Sequence, residues 1–328
     1  MGSSAHFLEI MAAEPGATQG VPFARYMELA MYHPTAGYYT RDFRRVGRDR
    51  KADFYTATSF NPVFGELIVA ATARLLAPAL PADFHFVEIG AEPDGGVLRD
   101  IPHPFASYRT IRLGQQLEVT GPVVVFSNEL FDAQPFHRVV WRDGAWREFG
   151  VALQDGRLVE VMLPKFCAEL AAERDRLPKT APEGYHLDLP LRTMPLLDRI
   201  VAQPWTGLFL AFDYGRTWHE LAEEMPTGTA RTYFRQKMGD DLLNRPGQQD
   251  LTCHICWDWL EDGLVRAGFN EPVVESQESF FARHASEALA AMTAAETRGL
   301  SPRKRMLMHL LHPAHMGQKF QALHALRK

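Results

Sequence analysis

Several things are scarce in this sequence. Three cysteines, Cys167, Cys253 and Cys256, stand among 328 residues. A small, odd set cannot build the disulfide framework of a secreted scaffold. No apolar run approaches the ~20 residues that a bilayer requires. Met1 to Glu14 lacks the basic start and long apolar stretch of a signal peptide. A cytoplasmic protein without a membrane partner is therefore expected. Charge of one sign is also missing. The 35 basic residues face 40 acidic ones, leaving −5 with His neutral, and no footprint for nucleic acid. There is no internal repeat and no low-complexity tract, and 46% of residues are hydrophobic. Collagen, coiled coil and disorder are excluded as the main architecture.

One local imbalance remains. Arg298, Arg303, Lys304, Arg305, Lys319, Arg327 and Lys328 share a stretch with no Asp or Glu. It reads either as a solvated helix face or as a patch for an anionic partner. At roughly 150 residues per domain, the length predicts about two domains, or one with an insertion.

What is present divides into three textures. The first eighty residues read as helical. Phe7, Leu8, Ile10 and Met11 form an apolar stripe. Pro22 opens a second helix, where a missing N–H costs nothing. Asn61 and Pro62 open a third, carried by Phe64, Leu67, Ile68, Ala71 and Leu75. Arg41 to Lys51 reads as an exposed loop. Four short apolar runs follow, at 84–89, 108–113, 123–126 and 208–212. Near-continuous apolar strands are typical of parallel sheets covered on both faces, so the core is α/β. Between the third and fourth runs, 136–141 and 146–151 flank Arg142-Asp143-Gly144, a hairpin signal, and 158–162 adds a strand. The last third mixes helices at 255–267 and 286–297 with strands at 272–275 and 320–324.

Four motifs could carry chemistry. Glu88-Ile89-Gly90-Ala91, with Gly95 and Gly96 beyond, follows a strand where a glycine turn lets backbone approach a ligand. A plain strand-to-helix connection is the other reading. Asn128, Glu129 and Asp132 cluster just after a core strand, where open α/β sheets bind ligands; helix capping is the competing role. Asp213-Tyr214-Gly215 ends another core strand and could equally be a turn. Cys253-x-x-Cys256 has no second pair at metal spacing and reads as structural.

In order along the chain, these motifs resemble the MidA family of S-adenosylmethionine-dependent methyltransferases. That family includes a mitochondrial member that methylates a protein arginine during complex I assembly. The matching residues are Pro22 to Met27, Met31 to Pro34, Gly37 to Tyr39, Asp53 to Thr56, Phe64 to Glu66, Val87 to Gly90, Asn128 to Pro135, Asp213 to Gly215, Gly228 to Tyr233, Pro246 to Thr252, Ser276 to Phe281 and Met316 to Phe320. The resemblance implies a class I methyltransferase-like, Rossmann-type, mostly parallel sheet. It implies an N-terminal helical segment over 1–80, a core over 81–135 and 205–328, and an inserted α+β subdomain over 136–204. It implies S-adenosyl-L-methionine as cofactor, met by Glu88, Gly90, Ala91, Gly95 and Asn128. It implies a protein substrate, with Asp53, Phe54 and Tyr214 on its side of the site. Oligomeric state is left open, a homodimer included.

If the acceptor is arginine, carboxylates can hold its planar fork and take its proton. Glu129, Asp132 and Asp213 are the candidates, with helix capping and loop bracing as the alternative. Two departures from the family fall on the cofactor side. Glu92, Pro93 and Asp94 interrupt the glycine loop. The second strand ends Ile111-Arg112-Leu113, without the acid that would hold ribose hydroxyls, and only Gln115 to Pro122 precedes the next strand. A family member that binds a protein without catalysis is the alternative function. An NAD-linked dehydrogenase fits less well, because its ribose acid is equally absent.

Overall fold

Near-continuous apolar runs become the strands of a six-stranded sheet. In the computed structural model, which describes residues 3–41, 57–93, 95–294 and 301–328, these are β1 His85–Ile89, β2 Ser107–Ile111, β3 Gly121–Asn128, β4 Trp205–Asp213, β5 Asn270–Ser276 and β6 Gln321–Arg327. Their spatial order is β5-β6-β4-β3-β1-β2. β1 pairs in parallel with β2 and β3, and β3 in parallel with β4. β6 runs antiparallel between β4 and β5. This is the α/β sheet expected from the sequence, and the chain turns from one side of β1 to the other between β2 and β3. Ligands of open α/β sheets bind where the strand order reverses, at the carboxyl ends. Here that point lies between β1 and β3.

The chain forms two compact units, and neither is a single segment. The parallel sheet belongs to Tyr55–Leu130, Leu196–Gly215 and Trp257–Lys328. Its core is aromatic: Phe64, Phe86, Phe126, Phe212, Phe280 and Phe281 are buried together. Each such ring contributes roughly 1.5–3 kcal/mol on burial. Phe64 sits on the helix Val63–Leu76. That helix begins where the Asn61-Pro62 signal placed it, and Asn61 Oδ1 accepts the Gly65 N–H at 3.1 Å.

The other unit comprises Met1–Phe54, Phe131–Pro195 and Arg216–Cys256. Its five-stranded sheet orders Val21–Pro22, Ala145–Gln154, His137–Arg142 and His186–Leu189, with Arg157–Met162 also paired to Ala145–Gln154. Every pairing in it is antiparallel, as the hairpin signal at Arg142-Asp143-Gly144 suggested. The helix Phe23–Tyr32 follows Pro22 directly. It buries Phe23, Tyr26 and Met27 with Phe7, Phe136 and Val151. A smaller sheet joins Lys237–Gly239, Arg231–Phe234 and Asp250–Thr252.

The basic stretch near the C-terminus is partly structural. Arg303 forks onto both carboxylate oxygens of Glu66. Arg327 donates to the carbonyls of Val201, Gln203 and Trp205. Arg298 lies outside the described residues, as does most of the 41–51 loop. Cys253 and Cys256 are buried and unoxidised. No helix among the described residues is long and apolar enough to cross a membrane.

Candidate active site

β1 delivers its turn to the switch point. Gly90 has φ +86, and a Cβ there would stand 2.8 Å from Leu130 Cδ1. Its N–H donates to Ile111 O at 2.8 Å. Only glycine meets both the left-handed backbone and the close approach. Ala91 is buried beside it. Gly95 closes a turn by donating to Glu92 O at 3.0 Å.

Glu88 sits one pleat earlier and is 4% exposed. Its Oε2 accepts the Val97 N–H at 2.7 Å and the Tyr108 hydroxyl. Burial raises its carboxyl above the ordinary range, and those two hydrogen bonds oppose the shift. The side chain thus ties the end of the glycine loop to β2. Tyr108 was not singled out from the sequence. The available signal was that a buried acid needs a donor, and Tyr108 is a hydroxyl on the adjacent run.

β3 delivers the second group. Asn128 Nδ2 donates to Glu129 Oε1 at 3.0 Å. Asn128 Oδ1 is buried and accepts no hydrogen bond among the described residues. Glu129 itself has φ +53. A non-glycine residue in that region costs of order 1–3 kcal/mol, and such strain clusters at functional sites. The conformation is held by its N–H, which donates to Phe212 O at 2.9 Å. That bond places Glu129 beside the end of β4, where Asp213 is fully buried and accepts the Tyr214 N–H at 2.9 Å. The Tyr214 ring packs on Phe320 with centroids 4.0 Å apart.

β2 presents a different surface. Pro93, Gly95, Arg99, Tyr108, Thr110 and Arg112 line an open groove of about 370 Å3. Arg112 Nε is buried without a hydrogen-bond partner among the described residues. It occupies the place where a ribose-binding acid was expected. Neither helix nor strand forms between Gly114 and Gly121.

Asp132 belongs to the antiparallel unit. It is 5% exposed and accepts the Thr252 hydroxyl at 2.9 Å. In the same unit Tyr32 donates to Ala133 O at 2.8 Å, and Tyr39 to Asp250 at 3.1 Å. Burial first, then the Asp250 charge, raises both phenols. Asp53 and Phe54 lie outside the described residues.

A glycine turn after β1, a polar pair at the end of β3 and a buried acid at the end of β4 mark the ligand-binding edge of an open α/β sheet. Comparisons with known proteins narrow this further. Residues 104–271 match the model of a family described as "Putative S-adenosyl-L-methionine-dependent methyltransferase". The chain is 26% identical over 302 residues to the protein arginine methyltransferase NDUFAF7 homolog, mitochondrial, of Drosophila melanogaster, an alignment covering 73% of this chain. The chain spans 65% of the length of that curated relative. A Burkholderia thailandensis crystal structure bound to S-adenosyl-homocysteine superposes with TM-score 0.86 at 25% identity, covering 99% of this chain and 92% of that one. A native structure from the same organism gives 0.81 at 24% identity, covering 99% and 92%.

The chain belongs to this family of methyltransferases. S-adenosyl-L-methionine is the family's cofactor. One feature of the chain fits it: the buried Asn128 Oδ1 has no hydrogen-bond partner among the described residues, and an amine or hydroxyl of the cofactor would supply the donor.

Proposed function

We propose that this chain transfers a methyl group from S-adenosyl-L-methionine to a guanidinium nitrogen of an arginine in a partner protein. The observation that carries this reading is the pair of acids at adjacent strand ends, one of them in a strained backbone. Glu129, at φ +53, and buried Asp213 flank a single hydrogen bond between β3 and β4. A guanidinium is a planar fork of five donors that carboxylates hold bidentately. The printed name of the Drosophila relative, a protein arginine methyltransferase, supports the same acceptor.

When bound, the cofactor would supply an electrophilic methyl group on a sulfonium and, once its S–CH3 bond breaks, would leave as the neutral thioether. The chain's task is then orientation, which alone can supply several kcal/mol of the barrier. Glu129 and Asp213 hold the fork so that one nitrogen faces the methyl. As the N–C bond forms, that nitrogen gives its proton to Glu129. Gly90, Ala91, Gly95 and Asn128 hold the cofactor, and Glu88 acts through the loop that it braces. Tyr214 is retained on the substrate side, with Asp53 and Phe54 proposed there from the resemblance alone; Asp132, a catalytic candidate from the sequence, is given no step. The three free thiols favour a reducing compartment, the cytoplasm.

The test is transfer of a labelled methyl group to proteins of a lysate, followed by mass spectrometry of the labelled peptides. Methylarginine in those peptides is the expected product. Label confined to another residue type overturns the choice of acceptor.

A further inference from the structure

The antiparallel unit holds a polar cluster with no part in the proposed transfer. His137 begins the strand His137–Arg142, Glu148 lies on the neighbouring strand Ala145–Gln154, and Cys167 caps the helix Ala168–Ala172. The His137 and Glu148 side chains are 1% and 0% exposed, while Cys167 is half-buried. His137 Nδ1 stands 3.1 Å from Glu148 Oε1 and 3.7 Å from Cys167 Sγ. One donor atom from each of the three side chains lies within 4.8 Å of the other two.

We propose that His137 Nδ1, Glu148 Oε1 and Cys167 Sγ form a binding site for a divalent transition-metal ion of the zinc class, with the fourth position open to solvent.

Two of the three donor separations, both from His137 Nδ1, match those of a coordination shell. Metal–nitrogen and metal–oxygen bonds of about 2.0–2.2 Å and a metal–sulfur bond of about 2.3 Å set tetrahedral edges. Those edges are about 3.3 Å for N···O and about 3.6 Å for N···S. The observed separations, 3.1 and 3.7 Å, fall beside them. The surrounding groups have the arrangement that orients metal ligands. His137 Nε2 is buried, with Glu169 Oε2 in ion-pair contact 3.3 Å away. Glu169 is in turn gripped by Arg192 Nε, at 2.8 and 3.0 Å to its two oxygens. Glu148 Oε2 accepts the Cys167 N–H at 2.6 Å, which fixes the carboxylate and leaves Oε1 toward the other donors. The half-exposed thiol provides an entry side.

On binding, a divalent ion displaces the thiol proton and any proton on Nδ1, both to solvent. A mixed S, N and O donor set favours zinc over magnesium or calcium, which take oxygen. A second cluster, Glu275, His284 and His324, has a similar spacing. It carries less, because the Arg283 guanidinium stands 3.6 Å from Glu275 Oε2 and opposes a further cation.

The experiment uses the full chain, stripped with chelator and titrated with Co2+ under anaerobic conditions. One equivalent should produce a thiolate-to-cobalt charge-transfer band, and Zn2+ should discharge it. Cys167→Ser should abolish the band, and Glu169→Gln should weaken the affinity about 10–100-fold. No thiolate band in the unsubstituted protein, or an undiminished band in Cys167→Ser, overturns the proposal. Should the serine variant fail to fold, the unsubstituted protein still decides. Zn2+ should protect Cys167 from alkylation, read by peptide mass spectrometry. Unchanged labelling means a hydrogen-bonded thiol–imidazole cluster and no metal site. These readouts do not depend on methyl transfer.

Discussion

The two sides of the switch point are built differently. On the β3–β4 side, Asn128, Glu129 and Asp213 are packed onto the sheet by short hydrogen bonds, and one of them is held in a strained backbone. On the β2 side, the sheet ends in an open groove lined by arginines, with Arg112 in place of an acid. One side spends stability on geometry and the other leaves space. Transfer between a cofactor and an acceptor needs rigid aim at the reacting atoms. It tolerates looser hold on the distant adenosine. Under the proposed function, the acids that orient the acceptor sit on the rigid side, together with Asn128 of the cofactor's set, and the open side bears on cofactor affinity alone.

Four substitutions probe this contrast. Glu129→Gln keeps shape and removes charge at the rigid side. It should lower the transfer rate at least about 100-fold, with the melting temperature unchanged; an unchanged rate in a radiolabel assay would remove Glu129 from the chemistry. Gly90→Ala puts a Cβ against Leu130 in a left-handed backbone. The strain, about 1–2 kcal/mol, should appear in thermal melts together with a weakened cofactor in calorimetry. Normal binding would show that the turn is not a ligand loop. Arg112→Glu supplies the acid that the open side lacks. One charge-assisted hydrogen bond is worth about 1.5–3 kcal/mol, so the cofactor should bind about tenfold tighter, with little change in the rate at saturation. A fall in affinity would mean that Arg112 itself contacts the ligand.

The smallest effect concerns Glu88. Burial raises its carboxyl above the usual 4.5. An acid raised on folding stabilises the fold below its unfolded pKa, and that contribution is lost as pH rises through the folded value. Melting temperatures taken from pH 4 to 7 should show this decline, and Glu88→Gln should flatten it. An identical slope in both proteins would show that Glu88 is not the titrating group.

The fold was more legible than the site. β1, β3 and β4 overlap the apolar runs because burial on both faces leaves little freedom of composition. The hairpin His137–Arg142 to Ala145–Gln154 was legible from Asp143-Gly144, which alone suits its turn. The candidate residues Asn128, Glu129 and Asp213 could be picked out by their place at strand ends, yet their local geometry could not. Nothing local distinguishes Glu129 at positive φ from an ordinary cap. That conformation comes from the Phe212 carbonyl, more than eighty residues away in the chain. The Cys167 cluster was hidden for the same reason. His137 and Glu148 meet across a strand pairing, and Cys167 arrives only after a further strand.

The interleaving of the two units bears on synthesis. The chain passes from one unit to the other at 54/55, 130/131, 195/196, 215/216 and 256/257. β4 is flanked on one side by β6, whose register runs from Gln321 against Asp213 to Arg327 against Gly207. On a ribosome, the strand bearing Asp213 therefore keeps a bare edge until the final strand emerges. A nascent chain arrested before residue 321 exposes that edge, the kind of template on which chains aggregate. Expression of truncated forms should accordingly yield insoluble protein, where a chain of two sequential beads would release one folded half.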